Sequence, residues 1–255
     1  MSKHNYRGIL PGSFTMASVV CGFLAILSSF EGELITACWL VILAGFLDGL
    51  DGKIARLSGA TSRFGVELDS LADFLSFGIA PAVIIYVAKL QTLGKWGWLI
   101  GAVYIMAASY RLARYNLFAT TDEKKGFMGL PVPGAALPLV TYLIFCDYVW
   151  GQLAYGQYLV SMIILFSALM VSQVEYDAMP DRFNSISNRI KIGLFVVAAI
   201  AALANPQLLL FPIFAAYIIF GLVRAAYKYL YLGVGMVKRK QFGNRKFGGT
   251  EKIDE

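Results

Sequence analysis

Long, unbroken apolar stretches dominate the chain, at about 14–30, 34–55, 68–88, 96–117, 133–150, 156–174, 190–205 and 207–228. A barrel that spans lipid alternates polar and apolar residues over strands of ~10 residues, and nothing here alternates. In hydrocarbon, helices are then what remains to satisfy every backbone polar group. The expected fold is all-α: a polytopic membrane helix bundle of about eight transmembrane helices. Several stretches fall short of the ~20 residues that cross a hydrocarbon core, so tilted or broken spans are expected. Composition points the same way. Hydrophobic residues make up 58% of the chain and charged residues 15%, whereas soluble domains carry ~45–50% and ~25%. A cytosolic enzyme, a disordered chain and a secreted disulfide scaffold are excluded.

The first stretch follows Lys3 and Arg7, as a signal peptide would. The Ser29-Phe30-Glu31-Gly32-Glu33 that ends it has no small-x-small cleavage pattern, so it is read as a retained helix. With the N-terminus placed in the cytoplasm, all but Lys89 and Lys95 of the 22 Lys and Arg residues fall on the cytoplasmic side. That asymmetry predicts cytoplasmic N- and C-termini in a multi-pass cell-membrane protein. It also accounts for the net charge of +6 without a nucleic-acid partner. Residues 1–235 read as one integral-membrane domain. Residues 236–255 read as a basic polar cytoplasmic tail suited to anionic lipid heads. Cys21, Cys38 and Cys146 have no metal-ligand spacing and read as small buried residues. His4 lies outside the apolar runs, which argues against a histidine-based site.

Within these runs, the stretch 45–78 carries four aspartates. Asp48 and Asp51 are spaced i, i+3 near the end of the second run. Asp69 and Asp73 are spaced i, i+4 at the start of the third. Each spacing puts both carboxylates on one helix face, about one turn apart. A short connection makes the two helices antiparallel neighbours, so all four carboxylates can converge at one depth near the cytoplasmic end. Carboxylates at membrane depth are costly and mark function. Four together need compensation, and two divalent cations match their charge. Oxygen-only ligands select a hard ion, Mg²⁺ or Mn²⁺. Gly52, Ala55, Ser58, Gly59, Ala60 and Gly65 clear side chains from the floor of the site, and Arg56 offers a fork for phosphate. Metal pair, small floor and arginine together read as a pyrophosphate site.

Asp48-x-x-Asp51-Gly52-x-x-Ala55-Arg56, then eight residues, then Gly65-x-x-x-Asp69-x-x-x-Asp73, resembles the signature of the CDP-alcohol phosphatidyltransferases at every fixed position. The resemblance implies transfer of a phosphatidyl group from a CDP-linked lipid to an alcohol, with release of CMP. It implies that Asp48, Asp51, Asp69 and Asp73 hold two metal ions. Asp73 would also be the base that takes the alcohol's proton. Gly52, Arg56 and Ser62 would contact the CDP moiety, and Thr15 falls where the family keeps a threonine near the nucleotide. Gly12 stands where the family often carries Asn or Asp, so a contact there comes from backbone. The family also implies a homodimer.

A second resemblance is to the phosphatidylserine synthase branch of that family. It rests on Arg111-Leu-Ala-Arg114-Tyr115-Asn116, on Gly129-Leu130-Pro131-Val-Pro133-Gly-Ala135-Ala136, on Leu10-Pro11 through Gly22, and on Val171-Ser172 with Tyr176. It implies L-serine as acceptor and CDP-diacylglycerol, or an archaeal ether-lipid counterpart, as donor. Serine brings a carboxylate and an ammonium but no phosphate, and Arg111, Arg114 and Asn116 are the residues expected to meet it. Pro131 and Pro133 would form either an irregular wall beside the site or a plain turn. Glycerol 3-phosphate and inositol phosphate are the competing acceptors, and both call for a stronger basic cluster. A cation transporter would spread acidic groups through the bilayer and show internal repeats, whereas the aspartates cluster and no repeat is evident.

Overall fold

A computed structural model of the chain describes residues 9–58, 63–119, 129–172 and 203–246. Helices and short connections account for them, with no strand among the described residues. In order they are α1 (Ile9–Phe30), α2 (Leu34–Ser58), α3 (Arg63–Asp73), a π-helical segment (Phe74–Ile79), α4 (Ala80–Ala88), a short 3₁₀ turn (Leu90–Leu93), α5 (Lys95–Ala119), α6 (Val132–Trp150), α7 (Gly156–Val171) and α8 (Pro206–Lys246). Five stretches are long and apolar enough to cross a membrane: Gly12–Phe30, Leu34–Ile54, Phe64–Ala88, Val132–Trp150 and Pro206–Arg224. The protein is therefore a membrane helix bundle. Of the remaining expected spans, 156–174 is the shorter apolar helix α7 and 96–117 is α5, which is long enough but diluted by Trp, Gly and Tyr. The stretch 190–205 lies, up to residue 202, outside the described residues. Helix α8 continues to Lys246, so part of the stretch read as a polar tail is helical.

The chain divides into two compact units, Met1–Ala215 and Ala216–Glu255. The first contains α1 to α7 and the beginning of α8. Here α1 lies along α2 over most of its length, and the 63–88 helix returns against α1. Helix α6 packs on α2 and α7, and α5 packs on α4 and α7. The buried surfaces are rich in small residues: Ala25, Ala37, Ala44, Ala72, Ala80, Ala108, Ala135 and Ala136 are all inside. Lipid offers no hydrophobic force between helices, so association depends on close backbone approach and interhelical hydrogen bonds. Gly22 is the clearest case. A Cβ there would sit 2.9 Å from the Ser76 Cα. The Ser76 hydroxyl instead donates to the Ser18 carbonyl at 3.0 Å. The large residues of α1, Met16, Val20, Phe23, Leu27 and Phe30, form the exposed stripe on the other side, as expected of a face in lipid.

The π segment has a local cause. Pro81 stands in the first turn of α4 and has no N–H, so the regular bond to the Phe77 carbonyl four residues back cannot form. The Ala80 N–H reaches the Leu75 carbonyl, five residues back. Tyr104 on α5, fully buried, donates its hydroxyl to the Phe77 carbonyl at 3.0 Å. Neighbouring helices often repair proline breaks in this way, and π segments recur at functional sites. This one begins immediately after Asp73.

Candidate active site

The antiparallel α1–α2–α3 arrangement brings the start of α1, the end of α2 and the start of α3 to one end of the bundle. Carboxylate oxygens of Asp48, Asp51 and Asp69 all lie within 4.8 Å of one another. Asp73, one turn deeper along α3, lies against Asp48. The register expected from the i, i+3 and i, i+4 spacings thus brings all four acids together. Asp51 is 4% exposed, and its Oδ2 accepts a 2.6 Å hydrogen bond from the Thr15 hydroxyl. The Asp73 Oδ1 is buried with no hydrogen-bond partner.

Among the described side chains, the cluster is short of positive charge: Arg111 is the cation near enough to attract Asp73, and Lys53 is exposed. Crowded carboxylates of this kind repel one another and lose hydration, and an unpaired buried charge is strongly unfavourable. An oxygen-only donor set with an orphaned carboxylate oxygen therefore fits divalent metal, and hard ions such as Mg²⁺ or Mn²⁺ in particular.

The expected floor is open where it can be seen. A Cβ at Gly52 would meet nothing within 4 Å, and Gly65 is exposed. Ser62 lies outside the described residues, as do the side chains of Ala55 and Arg56 on the last turns of α2.

The three residues assigned to serine separate in the structure. Arg111 is 7% exposed and its Nε is buried without a partner. Its guanidinium lies 5.2 Å from the centre of the Tyr115 ring. Arg114 faces elsewhere. Its Nη1 donates to the Val171 carbonyl at 3.0 Å, and its Nη2 donates to those of Met170 and Ser172, both at 3.2 Å. It therefore caps the C-terminal end of α7, where unmet carbonyls favour a cation. Gly129 makes room for it. With φ +83°, a Cβ there would lie 2.5 Å from both the Arg114 Nη2 and the Met170 carbonyl oxygen. Asn116 lies inside α5, and its Nδ2 donates to the Ser70 hydroxyl at 3.0 Å. Ser70 follows Asp69, so this bond ties α5 to the face of α3 that carries the acids. Pro131 is the N-cap of α6 and Pro133 sits in its first turn, where proline is well tolerated.

Three of these features escape a reading of the sequence alone: Ser70, Tyr104 and the link from Thr15 to Asp51. Each is a polar residue inside an apolar run, which is itself a signal that a partner lies on another helix.

Comparison with known proteins agrees with this geometry. Residues 8–174 match the CDP-alcohol phosphatidyltransferase family. A CDP-diacylglycerol–serine O-phosphatidyltransferase of Helicobacter pylori is 32% identical over 235 residues, covering 91% of this chain and 95% of that protein. A protein of the same description from Methanocaldococcus jannaschii is 36% identical over 217 residues, covering 82% of this chain and 92% of its own length. An archaetidylserine synthase of Methanothermobacter thermautotrophicus is 36% identical over 169 residues, covering 66% and 69%.

Proposed function

The chain belongs to the CDP-alcohol phosphatidyltransferase family, and from that premise we propose that it is a CDP-diacylglycerol–serine O-phosphatidyltransferase. It moves a phosphatidyl group from CDP-diacylglycerol, or from the archaeal ether-lipid counterpart, to the hydroxyl of L-serine, giving phosphatidylserine and CMP. The observation that carries this reading is the convergence of Asp48, Asp51, Asp69 and Asp73 at one end of antiparallel membrane helices, in a chain whose relatives bear that name.

Asp48, Asp51, Asp69 and Asp73 would hold two divalent ions, Mg²⁺ or Mn²⁺, which when bound offset charge on the phosphoryl oxygens and on the departing CMP. The protein does the rest. A serine hydroxyl is a weak nucleophile at neutral pH, so a positioned base must take its proton as the new O–P bond forms and the P–O bond to CMP breaks. Asp73 has the free oxygen for this, since its Oδ1 is buried and unpartnered. Being a weak base, it accepts the proton late, when the attacking oxygen has become acidic. Arg111 meets the serine carboxylate. Its Nε lacks a partner and it neighbours Asp73, so a carboxylate held there leaves the serine hydroxyl close to the base. Arg114, engaged on α7, supports the wall behind it, and Asn116 holds α3 in register through Ser70. The CDP moiety lies over Gly52, Ala55 and Gly65, with Arg56 and Ser62 on its phosphates.

The site faces the cytoplasm of a cell membrane crossed about eight times, with both termini inside, because nearly all Lys and Arg fall on that side. The working unit is a homodimer. Purified protein in lipid vesicles, supplied in turn with labelled serine, glycerol 3-phosphate and inositol phosphate, tests the assignment. Label is expected in lipid only from serine, with release of CMP; product from glycerol 3-phosphate alone would overturn the serine reading.

A further inference from the structure

Thr15 is the first buried polar residue of α1, and its partner is a member of the acidic cluster. Thr15 is 6% exposed and Asp51 4%, and the hydroxyl donates to the Asp51 Oδ2 at 2.6 Å across 36 residues of chain. A hydroxyl carries one proton to donate. With that proton given to Asp51, Thr15 has only lone pairs to offer a phosphate oxygen, which repels them. The β-branched side chain is stiff at χ1, and one turn further along α1 the Ser76 hydroxyl fixes the helix through the Ser18 carbonyl. The Thr15 end of the link is therefore held. The Asp51 carboxylate accepts from the Thr15 hydroxyl and from the Gly52 backbone N–H, and one of its oxygens lies within 4.8 Å of those of Asp48 and Asp69, where a cation could be shared.

We propose that Thr15 is a positioning residue for the metal site, holding Asp51 in its ligating orientation, and is not a nucleotide contact. The inference rests on the reading of the aspartates as metal ligands. Outer-shell partners of this kind typically alter metal affinity by about 10–100-fold when removed.

The test is Mn²⁺ binding to the purified full-length protein in lipid nanodiscs, without CDP-lipid, followed by electron paramagnetic resonance of the free ion. Thr15→Val keeps the shape and removes the donor. It should weaken Mn²⁺ binding by about 10–100-fold, with cooperative thermal unfolding retained and a midpoint lowered by roughly a few degrees for the lost hydrogen bond. Thr15→Ser keeps the donor and should bind within a few-fold of the unaltered protein. At saturating Mn²⁺, Thr15→Val should keep the KM for CDP-lipid, whereas a nucleotide contact would raise it. Unchanged Mn²⁺ affinity in Thr15→Val, or a raised KM for CDP-lipid at saturating metal, overturns the proposal. Should Thr15→Val fail to fold, Thr15→Ala is read in the same assay by the same criteria. Asp69→Asn separates the two levels of the argument. If it weakens Mn²⁺ binding and Thr15→Val does not, only the role of Thr15 falls; if neither does, the metal reading falls with it.

Discussion

At the end of the bundle remote from the aspartates, polar side chains find partners within the protein. The Tyr142 hydroxyl lies 3.2 Å from the carbonyls of both Ala154 and Tyr155. The Trp98 indole donates to the Tyr86 hydroxyl at 2.7 Å, and the Asn205 amide donates to the Tyr148 hydroxyl at 3.1 Å. Edge-on contacts link Phe145, Trp150 and Tyr155, which suits the aromatic belt of a membrane interface. The aspartate end is built differently. Three carboxylates crowd within 4.8 Å, and the Asp73 Oδ1 and Arg111 Nε are buried without partners. Each buried, unmet polar atom costs about 1–3 kcal/mol, more for charged groups. Among the described residues, one end has its buried side-chain polar atoms satisfied and serves stability; the other leaves two of them, on Asp73 and Arg111, for ligands and gives up stability to do so.

The contrast breaks first under metal removal. Thorough chelation with EDTA should abolish transfer of labelled serine, and added Mg²⁺ or Mn²⁺ should restore it; activity that survives chelation contradicts metal-assisted transfer. Next in size is Asp73→Asn, expected to lower kcat by about 10²–10⁴-fold. Its unfolding midpoint should hold or rise, because a buried like charge is removed from beside Asp48 and Asp69. Turnover near that of the unaltered protein would remove Asp73 as the base. Arg111→Met should raise the KM for serine by roughly 30-fold, or about 2 kcal/mol, while the KM for CDP-lipid stays put. An equal rise for both substrates would place Arg111 outside the serine pocket. The smallest effect belongs to the satisfied end. Tyr142→Phe should cost about 1 kcal/mol of stability, seen as a lower unfolding midpoint, with kcat and KM unchanged. A loss of activity there would erase the division between the two ends.

The aspartate register was legible because it is local. Residues three and four apart share a helix face wherever the helix sits, so Asp48 with Asp51 and Asp69 with Asp73 needed only the helices to exist. The bundle itself was legible from continuous apolar runs, although α5 was harder to read, being diluted by Trp96, Gly97, Trp98 and Tyr104. The roles of Arg111 and Arg114 were not separable. They lie three residues apart on one helix face, carry the same charge, and both suit a cytoplasmic helix end. What divides them is a neighbour: the carbonyls ending α7 take Arg114, and Asp73 faces Arg111. Asn116 is similar, since Ser70, its partner, is 46 residues away. The π segment was half legible. Pro81 announces a missing bond to Phe77, but nothing local says that the Tyr104 hydroxyl will cover the exposed carbonyl.

By itself, then, the order of residues determined that this chain enters a membrane as helices, and that two of those helices each turn a pair of acids to one side. Both follow from interactions within a few residues: backbone hydrogen bonding in a solvent that supplies none, and 3.6 residues to the turn. Tertiary structure alone decided which hydroxyl holds Asp51, which arginine stays beside Asp73, and which oxygen is left without a partner. Those outcomes depend on where separate helices cross, and crossing is settled by the fit of whole surfaces, down to a glycine that lets one backbone touch the next.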